Sequence, residues 1–342
     1  MNIVVLCGGN STEREVSINS GYNVCQALRE KNHNAILLDV FFGSDDKDIL
    51  SKTSGDYDVT KVRDDIRALS SNVKEEEKTR KSFFGTNVID ICMKADIVFM
   101  ALHGKNGEDG KCQAAFDLYG IKYTGSGALA SAIGMDKAVT KQIFIAKDVP
   151  TAKSVWRKKG EDTSLENTGL TLPVVVKACN GGSSVGVVLV NTSEEYEDAV
   201  KECFSFDNQI LIESFIKGRE FSIGVIDHKA LPIVEIIPNE GWYDYENKYK
   251  EGATTHVCPA QLNEELTQKM QKVAVDACDA IGCEPYARAD VMMDEAGNMY
   301  CLEVNTLPGM TTTSLIPDEA RAIGIDYPTL CDNIVNLSLN KK

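Results

Sequence analysis

Lys177-Ala178-Cys179-Asn180-Gly181-Gly182-Ser183-Ser184-Val185-Gly186 is the stretch on which the fold turns. An apolar run, Leu172-Pro173-Val174-Val175-Val176, leads into it, and Val187-Val188-Leu189-Val190 leads out. β-Branched runs bounded by turn residues read as strands, so the stretch is the loop of a hairpin. Glycine lets a chain pass close to an anion and turn several main-chain N–H groups toward it. The helix-opening phosphate loop, G-x-x-x-x-G-K-[ST], is absent, and a strand rather than a helix follows. Two readings fit the segment alone: a phosphate grip built on a β-hairpin, or a turn that holds nothing.

Upstream of this loop, strands and helices alternate. Strands are predicted over 2–7, 34–40, 96–101 and 121–124, with helices over 17–31 and 111–119. Such alternation implies a parallel sheet covered by helices. Ligands bind such sheets at the carboxyl ends of the strands, where the polar loops 8–15 and 103–110 fall. Residues 43–82 read as a polar insertion with one short helical stretch. Gly125-Ser126-Gly127 marks a boundary, and one helix is predicted over 128–147, with Pro150 beyond its end. Downstream of the loop the pattern gives a helix over 193–203, then strands over 209–213, 220–226 and 231–237. A long polar loop, 239–256, a helix over 263–281 and a last hairpin, 286–293 with 299–305, complete the chain.

At 342 residues the chain has room for two or three domains. Its formal charge of −15 repels phosphate backbones, which argues against a nucleic-acid partner. No apolar run approaches the roughly 20 residues needed to span a bilayer. The N-terminal apolar run has no basic flank and is shorter than a secretory signal core, so it reads as a buried strand. Eleven cysteines are scattered without C-x-x-C spacing, and Cys7, Cys92 and Cys301 sit inside apolar runs. That usage points to reduced thiols in the cytoplasm.

The last hairpin carries the densest chemistry. Arg288 and Asp290 are two apart on one strand, as are Glu303 and Asn305 on the other. Period-two geometry places each pair on one face and Ala289, Val291, Leu302 and Val304 on the opposite, apolar face. Folding about 294–298 brings Asp290 near Glu303. Two carboxylates and an amide oxygen suit a hard cation such as Mg²⁺. A solvated acidic face is the alternative, but unpaired carboxylates on a half-buried hairpin are costly.

Other candidates are weaker one by one. Gly309, and the Ser314 hydroxyl with the Leu315 N–H, could meet substrate oxygens. Lys137, Lys177 and Lys248 are cations suited to phosphate. Glu13 could bind an ammonium group or simply cap a helix. His103 precedes a glycine-rich loop and could equally be structural. Gly8-Gly9 could open a dinucleotide fingerprint, but G-x-G-x-x-G is not present.

Gly8-Gly9-Asn10-Ser11-Thr12-Glu13-Arg14-Glu15-Val16-Ser17, the loop from His103 to Gln113, Met135-Asp136-Lys137 and the loop 180–186 follow one another along the chain. After them come Tyr243-Asp244-Tyr245-Glu246-Asn247-Lys248-Tyr249, Cys258-Pro259-Ala260, Ala287-Arg288-Ala289-Asp290-Val291-Met292 and Leu302-Glu303-Val304-Asn305-Thr306-Leu307-Pro308-Gly309-Met310-Thr311. In that order, over nearly the whole chain, they resemble the D-alanine–D-alanine ligases of the ATP-grasp superfamily.

The resemblance implies an α/β and α+β fold. An N-terminal doubly wound parallel-sheet domain, 1–125, would be followed by a two-subdomain ATP-grasp fold, 126–207 and 208–342. It implies that Lys137, Lys177 and Lys248 contact the phosphates of ATP. The segment Glu213-Ser214-Phe215-Ile216 would hold adenine and Glu220 the ribose. Asp290, Glu303 and Asn305 match the positions that hold two Mg²⁺ ions, with Mn²⁺ as a substitute. Glu13 matches the residue that binds the first D-alanine's ammonium, with Ser183 and Tyr249 as its hydrogen-bonding partners and His103 on the same substrate side. Ser314 and Leu315 match the carboxylate site of the second D-alanine. A cytoplasmic homodimer is the implied assembly.

The implied reaction has two steps. A D-alanine carboxylate takes the γ-phosphoryl group of ATP, and the amine of the second D-alanine attacks the acyl phosphate. Arg288 and the Gly309 N–H would stabilise the oxyanion, and loops 239–256 and 180–186 would exclude water. Ala178 and Ala114 stand where the family usually has proline and glycine, and the 43–82 insertion has no counterpart in shorter members. A ligase that takes D-serine second is the nearest alternative. The Lys248-Tyr249 pair argues against D-lactate, the intact set of ligands against a non-catalytic regulator, and the missing fingerprint against a dinucleotide dehydrogenase.

Overall fold

Strand β1 (Asn2–Cys7) runs parallel to and between β2 (Asn34–Asp39) and β3 (Ile97–Met100). The computed structural model describes residues 1–52, 57–182, 185–239 and 254–341. Successive side chains of a strand point to opposite faces. Ile3, Val5 and Cys7 pack with Ile18, Val24 and Leu28 of the Arg14–Glu30 helix. Val4 and Leu6 pack on the other face with Ile91 and Phe116. Both faces are covered, as expected of a doubly wound sheet. The predicted strand at 121–124 is shorter than expected: it meets β3 at a single bridge, Val98 to Tyr123.

The first helix begins at Arg14, three residues before the predicted start. The apolar period does not reach that turn because Arg14 is buried there by charge pairing rather than by hydrophobicity. Its guanidinium pairs with Asp39 and donates to the Gly9 carbonyl at 2.7 Å. Gly8 and Gly9 adopt φ of +79° and +84°, which glycine tolerates at little cost. Asp39 and Arg14 pack against Gly8 so closely that a Cβ there would lie 2.7 Å from the Asp39 carboxylate.

The insertion folds into short helices, Ile49–Lys52, Val59–Ala68 and Val73–Thr79. Leu50, Val59, Ile66 and Val73 of the insertion are buried, whereas Leu69 is exposed. Ser70 accepts from Arg14 Nε at 3.0 Å, so the insertion braces the loop that carries Glu13.

Two antiparallel sheets follow. The first has the order β4-β7-β5-β6, built from β4 (Ser154–Lys158), β5 (Val174–Ala178), β6 (Val187–Val190) and β7 (Gln209–Ser214). The second is built from β8 (Gly218–Ile226), β9 (Lys229–Ala230), β10 (Val234–Pro238), β11 (Thr254–Val257), β12 (Tyr286–Asp294) and β13 (Met299–Asn305). Its order is β11-β10-β8-β12-β13, with β9 beside β8. β4 and β11 were not anticipated, because their polar sequences lack a clean alternation, and the predicted strand 231–237 is confined to β10. Ala178 closes β5 and Ala114 lies within the Lys111–Tyr119 helix, so neither departure disturbs regular structure.

The helix predicted over 128–147 is two helices, Ala128–Met135 and Lys137–Ala146. Asp136 breaks it. Its backbone is extended and its carboxylate accepts from the N–H groups of Ala138 and Val139, an N-cap in mid-run. The break lets the Lys137 N–H bond the Cys179 carbonyl at 3.0 Å. Lys137 is thereby tied to the glycine-rich loop.

Two C-terminal helices, Leu315–Ala322 and Tyr327–Leu339, escaped the sequence reading. The second packs Leu330, Ile334 and Val335 into the same core as Ile3 and Val5. All eleven cysteines are free thiols, and all but Cys258 are buried.

Candidate active site

The register of the last hairpin sets the site. Asp290 pairs directly with Glu303, and Arg288 with Asn305. Ala289, Val291 and Val304 face the core, as the alternation predicts. Leu302 does not. A register shift between Asp290 and Val291 pairs Val291 with Cys301, leaving Leu302 as the extra residue of a bulge on the cavity side. Sequence alternation cannot see a bulge, since one extra residue reverses every face beyond it.

Asp290 is only 6% exposed. Arg288 grips it with two hydrogen bonds, Nε to Oδ1 at 2.9 Å and Nη2 to Oδ2 at 2.8 Å. Lys137 Nζ lies 3.8 Å from Glu303 Oε2 and donates to the Gly181 carbonyl at 2.6 Å. Asn305 Oδ1 accepts the Leu307 N–H at 3.0 Å. The oxygens of Asp290, Glu303 and Asn305 are hard donors in one patch, already flanked by cations. Among the described residues no group of three or more His, Cys, Asp or Glu side chains forms a metal cage. Magnesium needs no such cage, because it takes one or two carboxylates and fills its shell with water and substrate phosphate. The residues present fit that ion.

A second charged group stands nearby. Glu213 is buried between two lysines: Lys177 pairs with Oε1, and Lys141 Nζ lies 2.9 Å from Oε2. Burial would raise the Glu213 pKa, but Lys141 and Lys177 more than offset it and lower it to about 2. Burial likewise opposes the charge on Lys177, yet Glu213 raises its pKa above the ordinary lysine value. Glu213 is therefore a fixed anion. The sequence reading missed Lys141. Its only signal is a spacing of four from Lys137 on one helix, which is also the spacing of a solvated face.

Two cavities meet at these groups. One, of about 390 Å³, is lined by Glu13, His103, Arg288, Asn305, Gly309 and Ser314, with Leu315 beside them. The other, of about 430 Å³, presents apolar walls from Val175, Val187, Phe215, Ile216, Met292 and Leu302. Lys177, Glu213 and Glu220 also line the second cavity. Lys137, Gly182, Asp290 and Glu303 line both. Ser183, Lys248 and Tyr249 lie outside the described residues, as does most of loop 239–256.

Three loops converge on Glu13. The residue starts its helix, but its side chain makes no cap hydrogen bond. A Cβ placed on Gly104 would lie 2.9 Å from Glu13 Oε2, and one on Gly182 would lie 3.3 Å from it. Both glycines permit this approach, so loop 103–110 and the glycine-rich hairpin close on one carboxylate. His103 is 7% exposed, and its Nε2 is 3.4 Å from Ser20 Oγ. Burial lowers its pKa, and the Glu13 charge only partly opposes this, so the ring is neutral near pH 7. Ser314 Oγ accepts the Thr311 N–H at 3.0 Å and would be 3.1 Å from a Cβ on Gly309.

Glu108 is a further residue that sequence reasoning missed, being one acid in a polar loop. It lines the first cavity and accepts the Gly104 N–H at 3.0 Å. Burial, reinforced by Glu13, raises its pKa to about 8. The folded chain thus holds a proton there that the unfolded chain has lost above the ordinary carboxylate range. Stability from this group is complete at low pH and declines as pH rises from about 4.5 to about 8. Glu108→Gln keeps the acceptor and removes the titration. Its melting temperature relative to the parent chain is expected to climb by several degrees between about pH 5 and about pH 9. Parallel melting curves with a pH-independent gap would contradict this.

Comparison with known proteins gives the same answer along the whole chain. Residues 2–126 match the family described as D-ala D-ala ligase N-terminus, and residues 138–336 the D-ala D-ala ligase C-terminus. The D-alanine–D-alanine ligase of Pediococcus pentosaceus is 43% identical, over 98% of this chain and 97% of its own. The crystal structure of the D-alanine–D-alanine ligase of Bacillus anthracis complexed with ATP superposes with a TM-score of 0.75 at 30% identity, over 99% of this chain and 97% of the other. The VanG D-Ala:D-Ser ligase of Enterococcus faecalis has a TM-score of 0.78 at 27% identity, over 98% of both chains.

Proposed function

This chain belongs to the D-alanine–D-alanine ligase family, and we propose that its joined cavities are where ATP and two D-alanine molecules react. The chain is an ATP-dependent ligase that joins two D-alanines into D-alanyl-D-alanine, a unit of peptidoglycan, with release of ADP and phosphate. One observation carries the placement of the chemistry. Lys137, Gly182, Asp290 and Glu303 line both the apolar cavity and the small polar one.

In this reading adenine enters between Phe215, Ile216, Met292 and Leu302, with Glu213 accepting from its amino group and Glu220 from the ribose. The phosphates run past Lys177 toward Lys137 and Gly182. Lys248 completes this set. Asp290, Glu303 and Asn305 would hold two Mg²⁺ ions, or Mn²⁺ in their place, which when bound neutralise phosphate charge. Glu13 holds the ammonium of the first D-alanine, helped by Ser183 and Tyr249, and His103 walls that end. Its carboxylate is aimed at the junction, so positioning supplies much of the rate. The second D-alanine places its carboxylate on Ser314 and the Leu315 N–H, so that its amine faces the acyl carbon. Arg288 and the Gly309 N–H take up the oxyanion.

The chain is read as three units, 1–125, 126–207 and 208–342. A homodimer is supported by the exposed apolar residues Leu118 and Leu129, 89% and 75% accessible on neighbouring helices. Among the described residues no helix is long and apolar enough to cross a membrane. Buried free thiols and the use of ATP support a cytoplasmic site of action.

The decisive assay supplies ATP and Mg²⁺ with D-alanine, measures phosphate release and identifies the product by mass. D-Alanyl-D-alanine is the expected product. ADP without any dipeptide would overturn the reading. A mixture of D-alanine and D-serine yielding mainly the mixed dipeptide would reassign the second site.

A further inference from the structure

Glu319 is a fully buried acid that the reaction as described does not use. It lies on the Leu315–Ala322 helix, on the face that also buries Leu315 and Ile316. Its Oε2 accepts the Gly224 N–H at 2.6 Å. Its Oε1 has no hydrogen-bond partner among the described residues. Burial raises its pKa well above the carboxylate range.

Gly224 explains why an acid is there. On this side of β8 the pairing with β10 stops at Ser222, and the pairing with β9 begins at Val225. Gly224 falls in the gap. Its carbonyl is taken by the Leu231 N–H at 2.8 Å, but its own N–H finds no strand partner. A buried main-chain donor needs an acceptor, and Glu319 supplies one from a helix. The fit is close, since a Cβ on Gly224 would lie 2.4 Å from Glu319 Oε2.

The position of this bond matters. On the other side of β8, Gly224 pairs in register with Arg288 of β12. The helix that carries Glu319 starts at Leu315, with Ser314 as its N-cap. This hydrogen bond, added to the packing of Leu315 on Val234 and Ile236 and of Ile316 beside Leu231, ties that helix to the strand pair that carries Arg288. We propose that Glu319 is a positioning residue for the second amino acid, setting the distance between its carboxylate site at Ser314 and Leu315 and the guanidinium of Arg288. The proposal rests on the reading of Ser314 and Leu315 given above.

Misplacement by about 1 Å can cost a reaction up to about 10²-fold, and here the loss should fall on one substrate. Glu319→Leu removes the acceptor and is expected to raise the second D-alanine's KM by about tenfold, with the first D-alanine's KM and the ATP KM nearly unchanged. Glu319→Gln keeps an acceptor and is expected to restore parent values. Gly224→Ala attacks the same bond from the strand side and should raise the same constant, which keeps the test open if Glu319→Leu does not fold. A folded Glu319→Leu or Gly224→Ala chain with an unchanged second KM would overturn the proposal. So would a Gln variant as impaired as the Leu variant. Ser314→Ala separates the two levels: if it leaves the second KM unchanged, the carboxylate site itself is misplaced and both readings fall.

Discussion

Arg288→Ala is expected to lower turnover by about 10²–10³ while leaving the KM for ATP nearly unchanged. The guanidinium lines the cavity that also holds Glu13, Gly309 and Ser314, and is held by two hydrogen bonds to Asp290. That grip aims it before substrate arrives, and preorganised donors stabilise a developing oxyanion without reorganisation. The apolar cavity proposed above for the nucleotide does not include Arg288 among its walls, so ATP should still bind. Arg288→Lys should recover only part of the loss, because an ammonium cannot reproduce the planar two-bond contact. Asp290 would lose a buried partner in either variant, so a melting curve must accompany the kinetics. Phosphate release at varied ATP and D-alanine measures the effect. A folded Arg288→Ala chain with parent turnover would remove the residue from the mechanism.

The second large effect is expected from Glu303→Gln. The substitution keeps shape and removes one of two facing charges in the Asp290–Glu303 pair. A bound cation contributes several kcal/mol of charge stabilisation, so activity at fixed Mg²⁺ should fall by about 10²-fold or more. Added Mg²⁺ should recover part of it, with half-activation displaced to higher concentration. Direct titration with Mn²⁺ in the presence of ADP gives a readout independent of turnover. Folding should be little affected, since Lys137 retains its bond to the Gly181 carbonyl. Unchanged Mn²⁺ binding would show that Glu303 is not a ligand.

Much of the fold could be read from the sequence because it obeys simple periods. β1 alternates between two cores, and its neighbours are parallel, as strand–helix alternation demands. The nearness of Asp290 and Glu303 could be read from the turn, but their direct pairing comes from the register shift at Leu302, which the turn does not encode. What escaped was decided by single contacts or by competition. Leu302 changes face through one extra residue. Asp136 stops a helix whose apolar spacing continues through it. The insertion is held by scattered apolar residues that reach two distant surfaces, Val59 and Ile66 beside the Arg14–Glu30 helix and Val73 in the core with Val40 and Phe41. The candidate site divides the same way. Residues in glycine-rich or paired-carboxylate patterns were found, whereas Lys141 and Glu108 gain meaning only from burial that no local pattern encodes.

The seating of the last helix has a mechanical consequence. Leu330, Ile334 and Val335 share one core with Ile3 and Val5, and Tyr286 and Ile316 join it. The β4-β7-β5-β6 sheet keeps a core of its own, built on Val174, Val176, Ile210 and Ile212. The first core is thus made from both ends of the chain, and the second is joined to the Lys137–Ala146 helix through Ala138, Cys179 and Leu211 and through the Lys141–Glu213 pair. Met310 and Ile316, which flank Ser314, lie in the core that holds Ile3 and Val335, so that loop is anchored by both termini at once.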